Sequence, residues 1–132
     1  LVLADGYSGI HIVDVTSPNN PTGLGVYDTD GYAYDVAVSG AVAYVADGSS
    51  GLCMLDISNP EQPLQITCFE TFGAVTRVDV QGNMAFITDQ LTGVHVIDVS
   101  DAGQPLEVDV YAVDGLARDV ARFCSRVVRS YW

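Results

Sequence analysis

The chain has 132 residues, room for one ordinary domain, and 48% of them are hydrophobic. Seventeen acidic residues stand against five arginines and no lysine; the net charge of −12 excludes a phosphate-backbone partner and suits a solvated, self-repelling surface. No apolar run reaches the length of a membrane span, and Cys53, Cys68 and Cys124 form no metal-binding spacing.

Taken in order, the chain repeats every 42 residues without a gap. Asp5, Asp47 and Asp89 coincide, as do Gly9, Gly51 and Gly93, then Asp14, Asp56 and Asp98, then Pro21, Pro63 and Pro105. A period of this length marks a repeat array, in which neighbouring copies of one supersecondary unit bury each other's faces. Residues 1–30 hold the last three strands of a first unit, 31–72 and 73–114 are complete units, and 115–132 begin another. The chain opens on Leu1 inside a repeat, so it reads as a piece of a longer polypeptide, and the missing leader peptide says nothing about export.

The unit at 31–72 is the clearest copy. Residues 33–38 predict a first strand and Ser39-Gly40 a turn, then Val42–Ala46 a second strand closed by the Gly-rich stretch 47–51. Leu52–Ile57 predicts a third strand, apolar almost throughout, as in a strand covered on both faces. After the turn-forming 58–63, residues 64–71 alternate apolar and polar, which predicts a fourth strand with one face in water. If the third and fourth strands pair symmetrically about that loop, Ile57 faces Leu64 and Cys53 faces Cys68. Directly opposed residues lie within disulfide reach, so in an oxidising compartment Cys53 and Cys68 could bridge.

Connections this short exclude parallel crossovers, so each unit is an antiparallel meander. A twisted four-stranded meander with a doubly buried third strand predicts a propeller blade. The fold class is therefore all-β, a partial β-propeller of four-stranded antiparallel blades whose ring is not closed. Closed rings usually need four to eight blades, and the remaining ones are expected in the parent chain.

The strings GIHIVDVTSPNNP, GLCMLDISNPEQP and GVHVIDVSDAGQP, over 9–21, 51–63 and 93–105, closely resemble the LVIVD repeat of bacterial and archaeal β-propeller proteins. The third copy departs at Ala102, where the others have Pro18 and Pro60, and at Gln90, where they have Gly6 and Gly48. The resemblance implies a propeller, often exported or at the cell surface, with no shared activity and no catalytic residue to carry over. Residues 122–132 break the pattern, holding three of the five Arg and the only Trp. They are read as a shifted reading frame, with the true continuation being another blade.

Asp14, Asp56 and Asp98 are expected to accept backbone hydrogen bonds in the turn that follows, and Asp5, Asp47 and Asp89 to serve the Gly-rich turns. Calcium on the exposed loops of the second set is the disfavoured alternative, since each loop offers one carboxylate. His11, Cys53 and His95 are repeat-equivalent, but equivalent positions on packed sheets lie ~10 Å apart, too far for a shared metal. They are expected to pack between blades. No nucleophile–His–acid arrangement, phosphate loop or zinc signature is visible, so no catalytic, cofactor or metal residue is assigned.

The expected function is a non-catalytic scaffold or interaction module of an exported or cell-surface protein, binding a protein or glycan through rim loops. No cofactor, nucleic acid or membrane insertion is expected. The alternative is a fragment of a lactonase-like hydrolase with a metal in the central channel, for which Asp35, Asp79 and Asp119 are candidates out of register.

Overall fold

A computed structural model describes residues 1–113 together with the backbone of 117–123 and 126–131. Every described element is a strand. The first sheet holds β1 (Val2–Ala4), β2 (Ile10–Asp14) and β3 (Thr22–Tyr27). The second holds β4 (Asp35–Ser39), β5 (Val42–Ala46), β6 (Leu52–Asp56) and β7 (Leu64–Phe69). The third holds β8 (Val75–Gln81), β9 (Met84–Asp89), β10 (Gly93–Asp98) and β11 (Leu106–Tyr111). In each, strands neighbour in chain order and pair antiparallel, and no sheet closes on itself. These are the propeller-like blades expected of the 42-residue unit. A hairpin of β12 (Ala117–Phe123) and β13 (Arg126–Tyr131) follows. The side chains of the 122–132 tail, on which the shifted-frame reading depends, lie outside the described residues.

Sheets that pack face to face need both inner faces apolar, and alternation along β5 and β6 supplies two such faces. Ala43, Val45, Cys53 and Leu55 turn toward the first sheet and bury Ile10 and Ala33 with them. Tyr44, Ala46, Leu52 and Met54 turn the other way and bury Val75, Val78, Ala85, Ile87 and Ile97. Hence Leu52 to Leu55 are all buried, and their unbroken apolar run has a cause. The outermost strand behaves differently. β11 is exposed along its whole length, on both faces, rather than half-covered as the alternation predicts.

The pairing of third and fourth strands carries an irregularity at one repeat position. Register shifts between Ile12 and Val13, between Met54 and Leu55, and between Val96 and Ile97. Each shift leaves one extra residue on the outer strand, namely Leu24, Ile66 and Val108, as in a β-bulge. This corrects the symmetric pairing expected from the loop: Leu64 opposes Asp56, not Ile57, although Cys53 does oppose Cys68.

Neighbouring sheets are joined by the backbone itself. Gly6 and Ala33 exchange two N–H to O bonds of 3.0 and 3.1 Å, and Gly48 and Val75 exchange two of 3.0 Å. The two joints lie 42 residues apart in sequence. Both Gly6 and Gly48 sit at positive φ, 55° and 60°, where a side chain would strain the turn that makes the joint.

Candidate functional site

The antiparallel order brings the turns between second and third strands to one rim, beside the linkers that lead from one blade to the next. Asp47 and Asp89 sit there and are fully buried, not exposed on loops as the sequence suggests. Each carboxylate turns inward to satisfy the linker. Asp47 accepts the Thr29 hydroxyl at 2.7 Å and the Gly31 N–H at 3.0 Å. Asp89 accepts the Gly73 N–H at 2.7 Å and the N–H groups of Leu91 and Thr92 at 2.7 and 3.1 Å. Gly31 and Gly73 are small because of this close approach: a Cβ at Gly73 would press on the Asp89 carboxylate, and one at Gly31 on the Asp47 backbone carbonyl.

The two latches differ in charge state preference. Burial pushes the Asp47 carboxyl above the usual carboxylate range, with the bonds from Thr29, Gly31 and Ser50 only partly offsetting it and Asp30 adding repulsion. Burial acts against the Asp89 charge too. There, bonds from Thr71, Gly73, Leu91 and Thr92 outweigh it and hold that carboxyl below its ordinary value. Asp5, their counterpart, is about half exposed and lies 3.5 Å from the His11 ring.

On the opposite rim, Asp14, Asp56 and Asp98 accept the N–H of Thr16, Ser58 and Ser100, each at 2.9 Å. These backbone bonds lower all three carboxyl pKa values, and they fold the corner that leaves each third strand.

The equivalent positions His11, Cys53 and His95 fall on three separate sheets. Cys53 is joined to Cys68 by a disulfide across β6 and β7, with Cα atoms 4.0 Å apart. His95 is buried and bonded at both ring nitrogens, Nε2 to the Thr92 hydroxyl at 2.6 Å and Nδ1 to the Glu107 carboxylate. Thr92, His95 and Glu107 thus form one hydrogen-bonded chain. Sequence reasoning missed it because Glu107 reaches the ring only through the bulge at Val108. In a regular ladder Glu107 would oppose Asp98 and point to the other face; the extra residue sets it opposite Ile97, on the side of His95.

Beside this trio lies a cavity of ≈ 530 Å³ walled by Phe69, Phe72 and Val110 and edged by Glu70. Further along the same rim, Tyr7, Tyr32 and Tyr34 form a ladder of rings. Tyr7 meets Tyr32 edge-on at 4.8 Å between centroids, and Tyr32 meets Tyr34 at 4.6 Å. The Gly6–Ala33 joint sets the first two side by side, and Tyr7 is 82% exposed. Ser49 and Ala74 occupy the corresponding positions one unit later, so the ladder is not a product of the repeat.

Of the channel candidates, Asp35 spends its carboxylate on the N–H groups of Val36 and Val78, at 3.0 and 3.1 Å. The side chain of Asp119 lies outside the described residues. Among the described residues, no group of three or more His, Cys, Asp or Glu is arranged to hold a metal ion.

A family model described as LVIVD repeat matches this chain three times in succession, over residues 2–29, 30–71 and 72–113. No curated protein matches it.

Proposed function

The chain belongs to the LVIVD repeat family and is a repeat-based β-structure module, and from that premise we propose that it is a non-catalytic interaction module of an exported or cell-surface protein. It binds a protein or glycan through the rim where blade linkers and inter-strand turns meet. The ladder of Tyr7, Tyr32 and Tyr34 carries this reading. Exposed tyrosines offer large, amphipathic contact area at low conformational cost, and rings that already pack on one another are ordered before a partner arrives. Export is supported by the Cys53–Cys68 disulfide, a bond that persists in oxidising compartments.

The test is binding of the full chain to a glycan array and to purified surface proteins of its source, with Tyr7→Ala and Tyr32→Ala alongside. Loss of a specific partner in both variants, with far-ultraviolet circular dichroism unchanged, supports the reading. Partners retained at wild-type affinity by both variants refute it.

A further inference from the structure

We propose that the cavity between the outer strands of the second and third blades is a binding site for an organic ammonium ion. The site is separate from the tyrosine ladder and does not depend on its role.

Thr92, His95 and Glu107 have the connectivity of a nucleophile, base and orienting acid. The other half of an acyl-transfer site, a set of donors aimed at the developing oxyanion, is not found beside them among the described residues. The backbone N–H groups flanking Thr92, its own and that of Leu91, are both given to Asp89. Thr92 and His95 are thus held as a fixed wall, and the chemistry left for a ligand is set by the groups around them.

Thr92 and His95 are bonded to each other, and the hydroxyl of Thr71 is turned back to the Gly73 carbonyl at 3.4 Å and to Asp89. Glu70 and Glu107 also line the cavity, and their carboxylates can only accept hydrogen bonds. Among the described residues, no Lys or Arg lines the space. This setting favours a ligand that donates hydrogen bonds or brings positive charge over a carboxylate or phosphate. Phe69 and Phe72 contribute aromatic rings, and Phe72 is 93% exposed. Rings beside carboxylates are the setting in which a cation is held by ring quadrupole and charge together. The volume of ≈ 530 Å³ is that of a small-molecule site, and the overall charge of −12 draws cations toward it.

The ammonium group has two sources, a free small amine or the side chain of a lysine on another protein, and calorimetry on the full chain separates them. Choline is titrated beside its uncharged carbon isostere 3,3-dimethylbutan-1-ol, and a peptide with a single lysine beside its norleucine counterpart. Choline or the lysine peptide is expected to bind, with the neutral twin of each weaker by tenfold or more. Phe72→Ala and Glu70→Gln, both at exposed positions, should each weaken the charged probe roughly three- to thirty-fold while the fold is kept. Binding of choline alone assigns the free amine, and binding of the peptide assigns a lysine. The proposal is overturned if neither charged probe binds up to millimolar concentration, if neutral twins bind equally, or if both variants bind as the wild type does.

Discussion

The second and third blades are built on one template and differ in how the third strand is fastened to the fourth. Each has the same turn carboxylate, the same bulge and the same corner aspartate, yet the position shared by Cys53 and His95 is used in opposite ways. In the second blade it is a covalent staple to the outer strand. In the third it is a buried ring held between Thr92 and Glu107, with a cavity open beside it. What recurs is therefore backbone satisfaction, while the link between third and fourth strands is free to vary. That freedom is where a site can arise without disturbing the scaffold.

Reduction of the disulfide should have the largest effect. Closing a loop with a sequence separation of 15 is worth about 3 kcal/mol, so urea unfolding with dithiothreitol should show the second blade losing roughly that much. The third blade, which has no such bond among its described residues, should be spared in amide exchange. Uniform loss across both blades would show that they unfold as one unit and that the contrast has no energetic content.

Asp89→Asn should come next, at about 2 kcal/mol, and should exceed Asp47→Asn. The three N–H groups bonded to Asp89 all donate, and an amide offers only one oxygen, so its NH2 would face an N–H. At Asp47 the amide can donate to the Thr29 hydroxyl and still accept from Gly31, so the cost there should stay below about 1 kcal/mol. Equal midpoints in urea would refute this asymmetry.

Acid should separate the same pair with opposite signs. The Asp89 carboxyl is lowered in the folded state, so its contribution is present above the ordinary carboxylate pKa and is lost as pH falls through the folded value. The Asp47 carboxyl is raised, so its contribution is present below the ordinary pKa and is lost as pH rises through the folded value. Stability measured across the carboxylate range should therefore fall less steeply toward acid in Asp89→Asn and more steeply in Asp47→Asn. Parallel profiles would contradict the difference.

The smallest effect is expected from Asp56→Ala at the opposite rim. Its bond to Ser58 lies at a corner in water, and solvent can replace it. A detectable loss at neutral pH that disappears in acid is the expected result, since the carboxyl is lowered in the folded state. A loss as large as that of Asp89→Asn would mean the corner matters as much as the linker latch.

Much of this architecture could be read from residues alone. Period two in 64–71, the apolar run 52–55 and the Gly-rich turns are local signals, and each names a strand, a doubly covered strand or a hairpin directly. The direction of Asp47 and Asp89 could not be read. A turn aspartate looks the same whether it faces water or a linker 16 residues upstream, and only packing against the preceding blade decides. The bulge was equally silent, because nothing in Gln65-Ile66-Thr67 announces an extra residue. Yet that single residue exchanges the faces of Leu64 and Gln65, and in the next blade it carries Glu107 to His95. The tyrosine ladder was hidden for the opposite reason, since Tyr7 and Tyr32 are 25 positions apart and meet only across a joint between sheets.

The paired amides of Gly6 with Ala33 and of Gly48 with Val75 have a consequence for how such proteins grow. The unit 31–72 carries both halves of the fastening, Ala33 near its start and Gly48 before its middle. A duplication or deletion of whole units in the gene then splices in register, because each incoming leaf arrives with its own hook and its own eye. Ring size becomes a matter of counting copies, and no neighbour has to be redesigned when the count changes.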